Sequence, residues 1–119
     1  DVLYAVRLLQ IICHIEIGNY DVAAHLTSSC KRSFAQRTDV SPLQQKILNL
    51  LDRLSKVHPE KHRKLYLNFW QEVRLALKRP EEFRNSLFFN LSNYLSYKLN
   101  VTEKDLLDPA FAKTALVEE

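Results

Sequence analysis

An all-α domain of five to six helices joined as antiparallel hairpins is what this sequence predicts, and three observations predict it. The chain holds one glycine and four prolines in 119 residues, which is poor in the residues that β-turns demand. It is rich in Leu, Lys, Arg, Ala, Gln and Glu, the stronger helix formers. Its apolar residues recur at three- and four-residue spacing between short polar breaks, the period of one helix face. With 46% hydrophobic and 26% charged residues, the chain has the apolar content of one domain with its own core.

The first helix runs from Val2 to Ile17, with Tyr4, Leu8, Ile11, Ile12 and Ile15 as its inner stripe. Gly18 ends it, because glycine tolerates the left-handed conformation that closes a helix, and Asn19 follows as an N-cap. The second helix, Tyr20 to about Gln36, turns Tyr20, Ala23, Leu26, Thr27, Cys30 and Phe34 inward. Arg37-Thr38-Asp39-Val40 reads as a loop, and Ser41-Pro42-Leu43-Gln44 as a capping box with proline at the first helical position. The third helix places Leu43, Ile47, Leu50, Leu51, Leu54 and Val57 on one side and Gln45, Asn49, Asp52 and Arg53 on the other. Val57-His58-Pro59-Glu60 breaks the pattern and starts a fourth helix to about Lys78, whose inner face holds Tyr66, Phe69, Trp70, Val73 and Leu77.

After Arg79-Pro80, a fifth helix is expected over about Glu81 to Leu99, with Phe83, Leu87, Phe88, Leu91, Tyr94 and Leu95 on one wide face and Phe89 and Tyr97 off it. Asn100-Val101 is a short connection, and Thr102-x-x-Asp105 caps a last segment through Leu107. This divides the chain into a helical-hairpin array, 1–101, and a short helix with a tail, 102–119. The chain begins at Asp1 and contains no methionine, so it reads as an excerpt of a larger protein.

Glycine scarcity excludes phosphate-binding loops and dinucleotide fingerprints, which need several glycines at fixed spacing. No apolar stretch is long enough for a membrane span. Cys13, His14, His25 and Cys30 are four soft ligands within 18 residues, yet a hairpin pivoting at Gly18-Asn19 separates Cys13 from Cys30 by about 9 Å along the helix axis. That spacing is too long for a disulfide, and helical phase sets His25 nearly opposite Cys30, so the reading is two reduced structural cysteines. The run His58-Pro59-Glu60-Lys61-His62-Arg63-Lys64 brings two histidines to a helix start without the partner and cleft that acid-base chemistry needs. Glu81-Glu82 suit a helix dipole. The expectation is a non-enzymatic domain with no metal and no cofactor.

Charge is uneven. Between Lys31 and Arg79 stand twelve Lys or Arg against four acids, a local net of +8, whereas Thr102 to Glu119 carries −3. The basic 31–79 segment could meet nucleic-acid phosphates, an acidic protein surface or the chain's own acidic tail. Its cations are spread over three outer helix faces without interleaved aromatics, so a solvated face is the default and nucleic-acid binding the alternative. The aromatics Tyr66, Phe69, Trp70, Phe83, Phe88 and Tyr94 sit at core spacing. Phe89 and Tyr97 do not, and with Lys61, Arg63 and Lys64 they are the candidate partner-binding residues.

Gly18-Asn19-Tyr20-x-x-Ala23 resembles the turn between the paired helices of tetratricopeptide repeats, although Arg7 and Ile11 stand where that family has a large aromatic and a small residue. No second copy of the glycine signature follows at the repeat interval. Gly18-Asn19-Tyr20-Asp21, Lys31-Arg32-Ser33-Phe34 and Ile47-Leu48-Asn49-Leu50-Leu51-Asp52-Arg53-Leu54 are similar to the C-terminal helical regions of large bacterial proteins of the Bacteroidetes type. The resemblance implies a tetratricopeptide-like right-handed α-α superhelix, with a closed helical bundle as the alternative. It also implies a protein-interaction or scaffold module at the end of a larger bacterial protein, with a protein or peptide partner and no catalytic residue; the reduced cysteines and the lack of a membrane span set the expected localisation as cytoplasmic.

Overall fold

A computed structural model of the chain describes residues 2–37, 40, 42–76, 91–108, 110, 111 and 114. The expectations placed on Ser41, Leu77, Arg79-Pro80, Phe83, Leu87, Phe88, Phe89 and the final residues lie outside these. Among the described residues all regular structure is helical: α1 (Val2–Glu16), α2 (Tyr20–Ala35), α3 (Pro42–Lys56), a 3-10 turn (Pro59–Lys61), α4 (His62–Ala76), α5 (Leu91–Leu99) and α6 (Glu103–Leu107). They belong to two compact units, Asp1–Pro59 and Glu60–Glu119. The boundary coincides with the Val57–Glu60 interruption of the apolar pattern. None of the described helices is long and apolar enough to cross a membrane.

In the first unit the chain reverses after α1 through Gly18, whose φ is +83°. The Gly18 amide donates to the Ile15 carbonyl at 3.1 Å and the Asn19 amide to that of His14 at 2.8 Å, a Schellman closure that satisfies two carbonyls α1 would otherwise leave open. A Cβ at Gly18 would meet nothing within 4 Å, so the glycine is required by its backbone angle alone. Asn19 stands at the N-cap of α2, but its side chain makes no cap hydrogen bond. Its amide is already drawn into the closure of α1, and its ψ of 65° departs from the extended geometry that aims a capping side chain at the helix.

The three helices of this unit pack on one another. Tyr4, Leu8, Ile11, Ile12 and Ile15 are buried as their spacing requires, and so is Ala5; on α2 the buried positions are Ala23, Thr27, Cys30 and Phe34. The Thr27 hydroxyl donates to the Ala23 carbonyl at 2.7 Å, which lets a polar residue sit in the core. Tyr4 meets Phe34 edge to face at 4.3 Å and donates its hydroxyl to the Ser33 carbonyl near the C-terminus of α2. On α3, Leu48 and Gln44 are buried besides the predicted stripe, because α3 faces both α1 and α2. Asp52, expected on the outer side, instead receives Lys31 of α2 at 2.7 Å and Lys56 at 2.9 Å.

In the second unit α5 packs on α4 and α6 on α5. Tyr66, Phe69, Trp70 and Val73 of α4 are buried as expected, and Leu67 with them; Leu95, Leu99 and Leu106 complete the described core. Each such side chain contributes about 1.5–3 kcal/mol on leaving water. Asn100 takes a φ of +56°. Its amide donates to Tyr97 at 3.3 Å and that of Val101 to Ser96 at 3.1 Å, the same closure as at Gly18 with asparagine in the left-handed place. Thr102 then caps α6, its hydroxyl oxygen accepting the Asp105 amide at 3.1 Å.

Candidate partner-binding surface

The cationic run from the 3-10 turn into the first turn of α4 does not act as a uniform charged patch. Lys61 and Lys64 are exposed, but Arg63 reaches across to α5 and donates from Nη1 to the Leu99 carbonyl at 2.7 Å. Leu99 is the last residue of α5, so Arg63 satisfies an end carbonyl and complements the negative end of the helix dipole. Farther along α4, Trp70 Nε1 donates to the Leu106 carbonyl at 2.9 Å and Arg74 Nη1 to the Asp108 carbonyl at 2.7 Å. Tyr66, between Arg63 and Trp70, places its hydroxyl 3.2 Å from that of Tyr94. Positions 63, 66, 70 and 74 follow a three- and four-residue rhythm, so one face of α4 carries both apolar bulk and polar tips. The tips fasten the ends of the next two helices.

Tyr97 lies at the end of α5 with 75% of its surface exposed. Its ring centroid is 5.9 Å from Lys98 Nζ, which also stands 5.8 Å from the ring of Tyr66. Beside Tyr97 a depression open to solvent is lined by Ser96, Asn100, Val101, Thr102 and Asp105. Of the five candidate residues, Arg63 and Tyr97 are therefore brought to the same end of α5, Lys61 and Lys64 flank Arg63 in sequence, and Phe89 lies outside the described residues. The sequence marks Trp70 as a core aromatic and gives Arg74 no role beyond its place in the basic 31–79 segment. Their bonds join residues 36 and 34 positions apart and leave no local pattern in the sequence.

Several cations of the basic 31–79 segment are likewise engaged within the chain. Lys31 and Lys56 hold Asp52, Arg37 stacks over the Tyr4 ring at 4.7 Å, and Arg63 and Arg74 cap carbonyls. Burial tends to raise the Asp52 carboxyl, but the hydrogen bonds and charges of Lys31 and Lys56 outweigh it and hold the group below the usual carboxylate range. Cys30 is buried and Cys13 exposed, both as free thiols. Burial pushes the Cys30 thiol up, against the pull of the nearby Arg7 charge. His25 is exposed, and among the described residues no three His, Cys, Asp or Glu side chains gather as a metal-ligand set. Comparison with protein-family models, with curated proteins and with solved structures gives no match.

Proposed function

We propose that the chain is a non-enzymatic protein-interaction module, built of antiparallel helical hairpins in a tetratricopeptide-like stack, that takes a protein or peptide partner at the end of α5. The observation that carries this reading is Tyr97, a large aromatic three-quarters exposed beside an open depression. Exposed aromatics at the rim of a concavity are the residue type that anchors protein interfaces, because they bury much area at small entropic cost. The Schellman turns and the mutual packing of α1, α2 and α3 support the hairpin part of the reading. The stack leaves such ridges for partners in the repeat architectures it resembles.

The test is site-specific photocrosslinking. A photoreactive phenylalanine analogue placed at position 97 should give a discrete protein adduct in cells, and the Tyr97→Ala variant should lose the matching pull-down partner while keeping its far-UV circular dichroism. The same analogue at exposed Asn68 serves as the control. Adducts at 97 no stronger or more discrete than those at 68 would sink the proposal.

A further inference from the structure

We infer that the depression beside Tyr97 takes the guanidinium of an arginine side chain from the chain's partner. This rests on the interaction role proposed above and gives the chemistry the partner must carry there. The depression lies between two fixed turns. The Asn100 closure, with the amides of Asn100 and Val101 bonded to the carbonyls of Tyr97 and Ser96, sets the last turn of α5 and with it the exposed Tyr97 ring. The Thr102 cap sets the first turn of α6 and with it Asp105. Groups held this way need little ordering when a ligand arrives. The volume between them, about 470 Å³, is enough for one extended side chain.

Charge selects the occupant. Among the described residues that line the depression, Asp105 is the one acid, and no Lys, Arg or His joins it. A full capping box would return the Asp105 side chain to the Thr102 amide, but aspartate is one methylene shorter than the glutamate that makes this bond. Only the forward half forms: the Asp105 amide donates to Thr102 Oγ1 at 3.1 Å, while its carboxylate makes no hydrogen bond or ion pair with a described residue. Lys98, with Nζ 5.8 Å from the ring of buried Tyr66 and 5.9 Å from that of Tyr97, does not line the depression, so the chain's own cation does not fill it. An open carboxylate and an exposed aromatic ring on one concavity match a guanidinium, whose N–H fork pairs with the carboxylate and whose flat face lies on the ring. An ammonium has the charge without the fork or the face, and an acidic side chain is repelled by Asp105.

Amide NMR spectra of the isotope-labelled whole chain, titrated with blocked tripeptides carrying arginine, lysine, citrulline or glutamate at the centre, test the inference. Citrulline keeps the shape of arginine and loses its charge. The arginine peptide should shift the amides of Tyr97, Asn100 and Asp105 saturably, and bind about threefold to fivefold more tightly than the others. Asp105→Asn keeps the backbone donor to Thr102, so it should leave the helical circular dichroism intact while removing the preference for arginine. Tyr97→Leu should weaken the arginine peptide and leave the citrulline peptide's weak binding little changed. Citrulline, lysine or glutamate binding as tightly as arginine, or an arginine preference that survives Asp105→Asn, overturns the inference. Crosslinking at position 97 keeps the two proposals apart. Adducts there without an arginine preference retain the partner and remove its arginine, whereas an arginine preference without adducts retains the site and removes the protein partner.

Discussion

The turn after α1 and the turn after α5 close their helices with the same pair of backbone hydrogen bonds, six-to-one and five-to-two, yet they are built from different residues. One uses Gly18 at φ +83°, the other Asn100 at φ +56°. After Gly18 the next helix starts with no side-chain cap, although an asparagine stands there; after Asn100 the next helix starts on Thr102, which does cap. The carbonyl of Leu99, at the second turn, is also held by Arg63 from α4. The comparison teaches that one geometry can be secured by backbone freedom or by side-chain bonds, and that only the first leaves a glycine in the sequence.

The largest effect is expected where side-chain bonds secure the second unit. Trp70→Phe keeps an aromatic ring but removes both the indole donor to Leu106 and part of the buried ring volume, so the unsatisfied carbonyl and the cavity together should cost at least about 2 kcal/mol. Urea denaturation followed by circular dichroism measures it, and an unchanged midpoint would show that the Trp70 anchor on Leu106 does not matter. Next comes the backbone device of the first unit. Gly18→Ala meets no steric obstacle, so its cost should be the left-handed penalty alone, about 1–2 kcal/mol; Gly18→Asn should cost less, and Asn100→Gly should stabilise slightly. If Gly18→Ala is neutral, the left-handed angle at position 18 does not set the cost of the first turn.

The caps separate the turns more sharply. Thr102→Ala should cost about 1 kcal/mol, while Asn19→Ala, at the corresponding place after Gly18, should be close to neutral; equal losses would erase the distinction drawn between them. The smallest effect is electrostatic and confined to the first unit. Because the folded Asp52 pKa is depressed below its ordinary value, the Lys31–Asp52–Lys56 cluster contributes stability above the unfolded carboxylate range, near pH 4. That contribution is lost as pH falls through the folded pKa. Lys31 and Lys56 are 40% and 59% exposed, so solvent screening limits it to less than about 1 kcal/mol. Asp52→Asn should flatten the acid limb of the stability curve, and an unchanged limb would remove Asp52 from the account.

Much of the helical framework was legible because it rests on local rules. The apolar stripes of α1, α3 and α4 named the buried residues Tyr4, Leu8, Ile47, Leu54, Tyr66 and Trp70, and Thr102-x-x-Asp105 named its own cap. Leu48 and Gln44 escaped, since α3 has two neighbours and buries more than the one stripe that periodicity marks; Leu67 escaped on α4. Asn19 misled because residue type states a capping preference but not whether the backbone lets the side chain aim. In the sequence Arg63 shows only its charge, whereas its role within the fold depends on a carbonyl 36 residues away. Exposed Tyr97 was visible as an aromatic out of phase; the depression beside it depends on a turn that asparagine disguises.

The three donors on α4 have a consequence for how the second unit opens. Arg63, Trp70 and Arg74 each fasten a different point near the ends of α5 and α6, so fraying α4 releases those points together. The amides of α4, α5 and α6 should then exchange with deuterium as one cooperative block, with a shared opening free energy. Had each helix been sealed by its own local cap, they would exchange in separate steps. A protein sealed this way responds to loss of one helix as a whole unit, and damage near residue 70 is felt at residue 108.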